Sequence, residues 1–353
     1  MAERRIDWNK VLLVLTVAFI SAALAVLHVL IGFAKTPLGT VYLWTGHYYL
    51  DYYYYLQFIA QGLRGYWLPR QYSATDDPSI YFHLEAYVGL GQMGRIFNLP
   101  PIAIYWSSVF ILTFLLSTII FFVIREILEK KPFYVQFGAF LLTLSAGPFY
   151  KIISEPAGLR FLSFEYWASY GTFFKRFEPV PHHLLAHIFT LIVCLLFVRY
   201  LKKKERNFLA SIRAGLLISF FIIVELSFYP FQIVILFAAI VLTSLVYGLY
   251  DLKKKLIFSF ISLVFFVAIV GTLTFLAGLI IKNVYDQTVF FRTTKGVETG
   301  WRNMVAWQSL ILNFGPIFIL ALLGIQTLIR KINLLQILLT TFFIVSLFLF
   351  YTP

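Results

Sequence analysis

Asp51 is the acid best placed to do chemistry. It stands in Gly46-His47-Tyr48-Tyr49-Leu50-Asp51-Tyr52-Tyr53-Tyr54-Tyr55-Leu56. If this stretch is helical, Tyr54, Tyr55 and Phe58 fall at i+3, i+4 and i+7 from the acid and share its face. Aromatic rings favour headgroup depth and stack on sugar rings, so a carboxylate among them suits general-base work on a hydroxyl at a membrane surface. The same acid also suits a plainer role, complementing the dipole at a helix N-terminus. Residue type leaves both open. His47 lies four residues before Asp51, the spacing of a divalent-metal half-site or of a base and its orienting partner. A divalent metal is therefore the cofactor this pattern admits. Asp76-Asp77 would add carboxylates to such a site, or would simply start a turn before Pro78.

A second group is built for phosphate. Lys175-Arg176-Phe177-Glu178-Pro179-Val180-Pro181-His182-His183 puts cations just ahead of an apolar run, with His187 one turn further. Arg grips phosphate bidentately, and Lys supplies a point charge. Arg70 lies in a polar stretch, 68–78, within the same outward-facing set. Arg64, Arg160, Arg292, Lys295 and Arg302 are further outer cations, some of them headgroup anchors. All 6 histidines, His28, His47, His83, His182, His183 and His187, fall in outer loops or at outer span ends. Asp51 is thus the catalytic candidate. His47, Tyr54, Tyr55, Arg70, Lys175, Arg176, His182 and His183 are the substrate-binding candidates, and no residue is assigned as a metal ligand.

The elements that must hold these residues are membrane helices. The chain is 60% hydrophobic and 13% charged, with mean hydropathy +0.83, whereas soluble domains are about 45–50% apolar and about 25% charged. A span takes about 20 apolar residues. Nine segments qualify in outline: 11–33, 101–124, 133–150, 182–201, 208–227, 230–250, 256–280, 306–329 and 332–350. The first follows a basic start and is too long for a signal-peptide core, so it is expected to stay as an anchor. Ser227-Phe228-Tyr229-Pro230 separates two spans so closely that they must form a helical hairpin.

Short Lys/Arg clusters punctuate these runs: Arg4/Arg5/Lys10, Arg125/Lys130/Lys131, Arg199/Lys202/Lys203/Lys204/Arg206, Lys253/Lys254/Lys255 and Arg330/Lys331. Even numbers of spans separate them, so all can face the cytoplasm, where the Lys/Arg excess belongs. The net charge of +13 would suggest nucleic acid in a soluble protein. Here the topology accounts for it, and no nucleic-acid partner is expected. The predicted fold is an all-α polytopic membrane protein, a single transmembrane domain over 1–353 with an N-terminus in the cytoplasm. Its outer loops are 34–100, 151–181 and 281–305. The first loop should hold two interfacial helices, 47–63 and 79–97, with Arg64, Arg95 and Glu85 wet. Nine spans would leave the C-terminus outside, where the chain stops at Tyr351-Thr352-Pro353 without a polar tail, so a longer chain is expected. Cys194, the lone cysteine, lies in an apolar run and should be a buried thiol.

In the Asp51 region and the Pro181-His182-His183 region together, the chain resembles the GT-C class of integral-membrane glycosyltransferases. It is similar to members related to protein O-mannosyltransferases and to lipid A galacturonosyl- or arabinosyltransferases. The resemblance covers about 1–200 in architecture: a first span, a large outer loop with an early acid and two surface helices, then a bundle. It implies that Asp51 is the catalytic acid. The chain departs from many relatives in having no Asp-Glu or Glu-Asp pair at position 51.

The expected function is transfer of a sugar from a polyprenyl-phosphate donor to a glycan, lipid or protein acceptor on the outer face of the cytoplasmic membrane. Asp51 would deprotonate the acceptor or help to hold a metal, while Arg176, His182 and His183 stabilise the departing polyprenyl phosphate. Two rivals remain. A transporter or flippase would need ionisable residues inside spans, for which His28, His187 and Glu225 are the candidates. A non-catalytic membrane subunit would need no poised acid.

Overall fold

The computed structural model describes residues 7–45, 49–70, 84–146, 150–155, 158–163, 180–203, 206–287, 312, 315–330 and 334–351. The described residues form a set of apolar helices with one small hairpin. In order these are α1 (Trp8–Ala34), α2 (Tyr49–Leu63), α3 (Glu85–Ile96), α4 (Pro101–Ile127), α5 (Phe133–Leu144), β1 (Tyr150–Glu155), β2 (Gly158–Ser163), α6 (Pro181–Leu201), α7 (Phe208–Phe228), α8 (Pro230–Lys253), α9 (Ile257–Gln287), α10 (Pro316–Arg330) and α11 (Leu334–Tyr351). Among the described residues, six helices are long and apolar enough to cross a membrane: α1, α4, α6, α7, α8 and α9. A helix satisfies its backbone polar groups internally, which is what a bilayer demands of a crossing segment.

The other three expected spans are shorter where described. α5 has 12 residues, roughly 18 Å at about 1.5 Å per residue, against a hydrocarbon core of about 30 Å. The helix ends at Leu144, three residues ahead of Gly147-Pro148 in the sequence. α10 has 15 residues, and the first part of the segment expected to form it, 306–311, lies outside the described residues. α11 has 18.

Two compact units make up the fold, Met1–Tyr54 with Ile102–Leu184 and Val305–Thr327, and Tyr55–Pro101 with Leu185–Met304 and Leu328–Pro353. In the first unit α1 buries a narrow stripe, Val14, Ala18, Ser21, Ala22 and Val29. Small residues at that spacing let neighbouring helices approach, while the rest of the helix is left to lipid. Phe19 of α1 meets Phe110 of α4 edge-on at 5.4 Å, and Phe121 of α4 meets Phe140 of α5 at 5.5 Å. This unit also contains β1 and β2, antiparallel with Tyr150 opposite Ser163 and Ile153 opposite Arg160. The sequence alone predicts only a loop over 151–181.

The second unit is the larger helix bundle. α9 packs on α7 and α8, α11 on α8, and α3 on α7. The expected hairpin is present, with Tyr229 alone between α7 and α8 and Pro230 starting the second helix, where a missing N–H costs nothing. Phe266 of α9 stacks on Phe197 at 5.6 Å and on Tyr200 at 4.5 Å. Arg206, read from sequence as one of a surface cluster, is instead 5% exposed. It ion-pairs with Asp251, donates from Nε to the Ser259 hydroxyl at 2.8 Å, and lies 4.6 Å from the centre of the Tyr247 ring. Its Nη1 is buried with no hydrogen-bond partner among the described residues, so Asp251 supplies the main compensation for the buried charge. Beside it the Tyr200 hydroxyl shares a 2.8 Å hydrogen bond with Ser211.

Candidate functional site

Asp51 lies in the first turn of α2. Its side chain is exposed, and among the described residues it makes no hydrogen bond or ion pair. Its pKa is raised above the ordinary carboxylate value because surrounding protein removes part of its water.

What holds this turn is the next residue. Tyr52 is 2% exposed and faces α4, where it meets the Tyr105 ring edge-on at 4.9 Å. The Trp106 indole N–H donates both to the Tyr52 hydroxyl at 3.2 Å and to the Trp44 carbonyl at 3.0 Å. Trp44 adopts a left-handed backbone, φ 56°, uncommon for a residue with a Cβ. It also stacks on Phe33 at the end of α1, centroids 4.7 Å apart, and His28 lies edge-on to Trp106 at 5.5 Å. Burial pushes the Tyr52 phenol up to about 12, so it stays a neutral hydrogen-bonding group. Aromatic residues from α1, α4 and the segment between α1 and α2 thus anchor the turn that carries Asp51.

Further along α2, in the second unit, the helix packs against α3 through two glycines. A Cβ at Gly62 would lie 2.1 Å from the Val88 carbonyl oxygen, and one at Gly91 would lie 2.2 Å from that of Ile59. Tyr55 stacks on Tyr87 with centroids 4.5 Å apart and planes 9° from parallel, and Phe58 is fully buried. Tyr55 and Phe58 therefore serve the packing of α2 on α3 rather than an open aromatic platform. Gln61 closes the end of this pair: its amide donates to the Arg70 carbonyl at 2.8 Å and accepts the Arg70 N–H at 2.9 Å. Both stretches expected to be helical contain a helix: α2 in 47–63 and α3 in 79–97, with 79–83 outside the described residues. Arg64 and Arg95 are exposed as expected, whereas Glu85 is half-buried, and burial raises its pKa.

The sequence candidates separate as follows. Asp51 is exposed, Tyr54 half-buried, and Arg70 exposed with its backbone fixed by Gln61. His182 and His183 occupy the first turn of α6, half-buried, with rings 4.3 Å apart. His47, Lys175 and Arg176 lie outside the described residues, as do Asp76 and Asp77. Among the described residues no three His, Cys, Asp or Glu side chains gather as a metal ion would require. Sequence reasoning missed Tyr52 and Trp106, which four successive tyrosines and an apolar span do not single out.

A second polar cluster lies inside the bundle of the second unit. Glu225 of α7 is 0% exposed. Its Oε1 accepts from the Thr190 hydroxyl of α6 at 2.9 Å, and Thr190 accepts from the Gln232 amide of α8 at 2.8 Å. The other carboxyl oxygen of Glu225 has no hydrogen-bond partner among the described residues. Cys194 is buried, as expected.

No protein-family model, curated protein or solved structure matches this chain.

Proposed function

We propose that the protein is a GT-C-type membrane glycosyltransferase that moves a sugar from a polyprenyl-phosphate donor to a hydroxyl acceptor at the outer face of the cytoplasmic membrane. The observation that supports this most is Asp51: an exposed carboxylate with no hydrogen bond or ion pair among the described residues, on a turn that buried aromatics hold in place. A helix-dipole acid alone would not need that anchoring. In the proposed reaction Asp51 takes the acceptor proton, the acceptor oxygen bonds to the sugar's anomeric carbon, and the bond from that carbon to the phosphate oxygen breaks. The electron pair leaves with polyprenyl phosphate, whose charge Lys175, Arg176, His182 and His183 are proposed to stabilise. A divalent metal shared by His47 and Asp51 is the other role open to the same acid. The topology that fits is nine spans with the N-terminus inside, since it puts every Lys/Arg cluster on one side.

Glu225 favours one second reading. A fully buried carboxyl within spans is costly and usually functional, and a transporter of a lipid-linked or anionic substrate would use it. Full-length protein in lipid nanodiscs, given a radiolabelled polyprenyl-phosphate sugar and hydroxyl acceptors, separates the two. Release of free polyprenyl phosphate with label on an acceptor supports transfer. An intact donor that crosses the bilayer in proteoliposomes supports transport instead.

A further inference from the structure

The first unit contains a cleft that neither reading uses. It lies where the N-terminal turns of α1 meet the C-terminal end of α4 and the start of α5, and has a volume of about 380 Å³. That is at the small end of the range for ligand pockets. Its walls are apolar, with Val11 and Leu15 from α1, Phe122 from α4 and Phe133 from α5. Its rim is charged: Asp7, Lys10 and Arg125.

Position and chemistry together narrow what fits. α1 and α4 are both long enough to cross a membrane, so an apolar cleft between their ends opens at bilayer depth, where hydrocarbon rather than water is the neighbour. The rim is at the end of the unit that carries basic clusters, which is the level of lipid phosphates on that side. Lys10 is already engaged, with its ammonium 2.6 Å from the Asp7 carboxylate and 5.7 Å from the centre of the Phe133 ring. Those two charges cancel. Arg125, exposed in the last turn of α4, has no ion-pair partner among the described residues and leaves the rim net positive. The turn beyond it is fixed rather than loose, since the buried Gln136 amide donates to the carbonyls of Leu128 at 3.0 Å and Lys131 at 2.9 Å. Exposed Lys130 and Lys131 sit in that turn. Glu126 and Glu129 are also in this stretch but do not line the cleft.

We infer that this cleft is a binding site for an anionic phospholipid of the leaflet the basic clusters face, with one acyl chain along the apolar walls and the phosphate on Arg125. A zwitterionic lipid offers the same chain, but its own cation competes for the phosphate. An anionic headgroup gains the full charge-assisted bond.

The test uses the full-length protein in detergent and two lipids with identical chains, palmitoyl-oleoyl-phosphatidylglycerol and palmitoyl-oleoyl-phosphatidylcholine. Retained lipid is counted by native mass spectrometry, and thermal stability is followed as each lipid is titrated. The expected result is one phosphatidylglycerol held about tenfold more tightly than phosphatidylcholine, a factor equal to about 1.4 kcal/mol. Arg125→Gln, at an exposed position, should remove that preference. Val11→Trp, also at an exposed position (37%), should fill the groove and lower retention of both lipids. Equal retention of the two lipids by the wild-type chain would mark ordinary boundary lipid and overturn the site. So would a preference that survives Arg125→Gln, or retention that Val11→Trp leaves unchanged.

Discussion

The Trp106 indole donates to the Tyr52 hydroxyl across 3.2 Å, so α4 holds the turn of α2 that carries Asp51. Tyr52→Phe removes the acceptor but strands no donor, because the Trp44 carbonyl still takes the indole hydrogen at 3.0 Å. The loss in stability should be about 1 kcal/mol, typical of one hydrogen bond. Since Tyr52 acts through the position of Asp51, turnover should fall while the Michaelis constant for the donor stays put. Thermal denaturation and initial rates on the same preparation check both halves.

Gly62→Ala should be far more damaging than its size suggests. The added carbon would meet a backbone oxygen of α3 at 2.1 Å, and backbone on both sides cannot swing away as a side chain can. Overpacking of this kind costs about 1–3 kcal/mol. Gly89→Ala, on the same pair of helices with open space around it, should be nearly silent. Melting temperatures of the two variants make the comparison.

The raised pKa of Asp51 has a defined sign. Because the folded carboxyl titrates above its unfolded value, its contribution favours folding below the unfolded pKa and is lost as pH rises through the folded one. Asp51→Asn should therefore not destabilise the protein at neutral pH. The acid limb of the wild-type pH–rate profile should lie above the usual aspartate value of about 3.9, since the base must be ionised to act. Profiles of turnover and of melting temperature against pH test the pair of statements.

Arg206→Met leaves Asp251 charged and buried without its partner. Breaking a buried pair on one side costs about 3–5 kcal/mol, so this variant should be poorly expressed or have a much lower melting temperature. Arg206→Met with Asp251→Leu removes both charges and should recover most of the loss. A double variant no better than the single one would mean the pair is not what the bundle relies on there.

The long spans were legible because hydropathy is a length signal, and α1, α4 and α6 to α9 carry it without interruption. The hairpin was not: Tyr150–Glu155 and Gly158–Ser163 mix charged and apolar residues without a clean alternation, and their pairing is a tertiary choice. Among Tyr52, Tyr53, Tyr54 and Tyr55, helical spacing gives relative faces but not which face meets α4. The structure buries Tyr52 at 2% and leaves Tyr53 at 46%. Choosing between them needs the position of Trp106, which lies far away in sequence. Arg206 looked like its neighbours Lys202 and Lys203 because charge type does not reveal that Asp251 and Ser259 wait for it. Asp51 was legible as an acid near aromatics, and its lack of a hydrogen bond or ion pair among the described residues came only from the fold.

The most direct test is the rate of sugar transfer by Asp51→Asn. The substitution keeps the shape and removes the proton acceptor, and general-base contributions are typically about 10²–10⁴-fold. A loss of that order is expected, from a protein that inserts and melts like the wild type. Turnover at the wild-type rate would contradict it, and Asp51 would then be no more than an acid at the start of a helix.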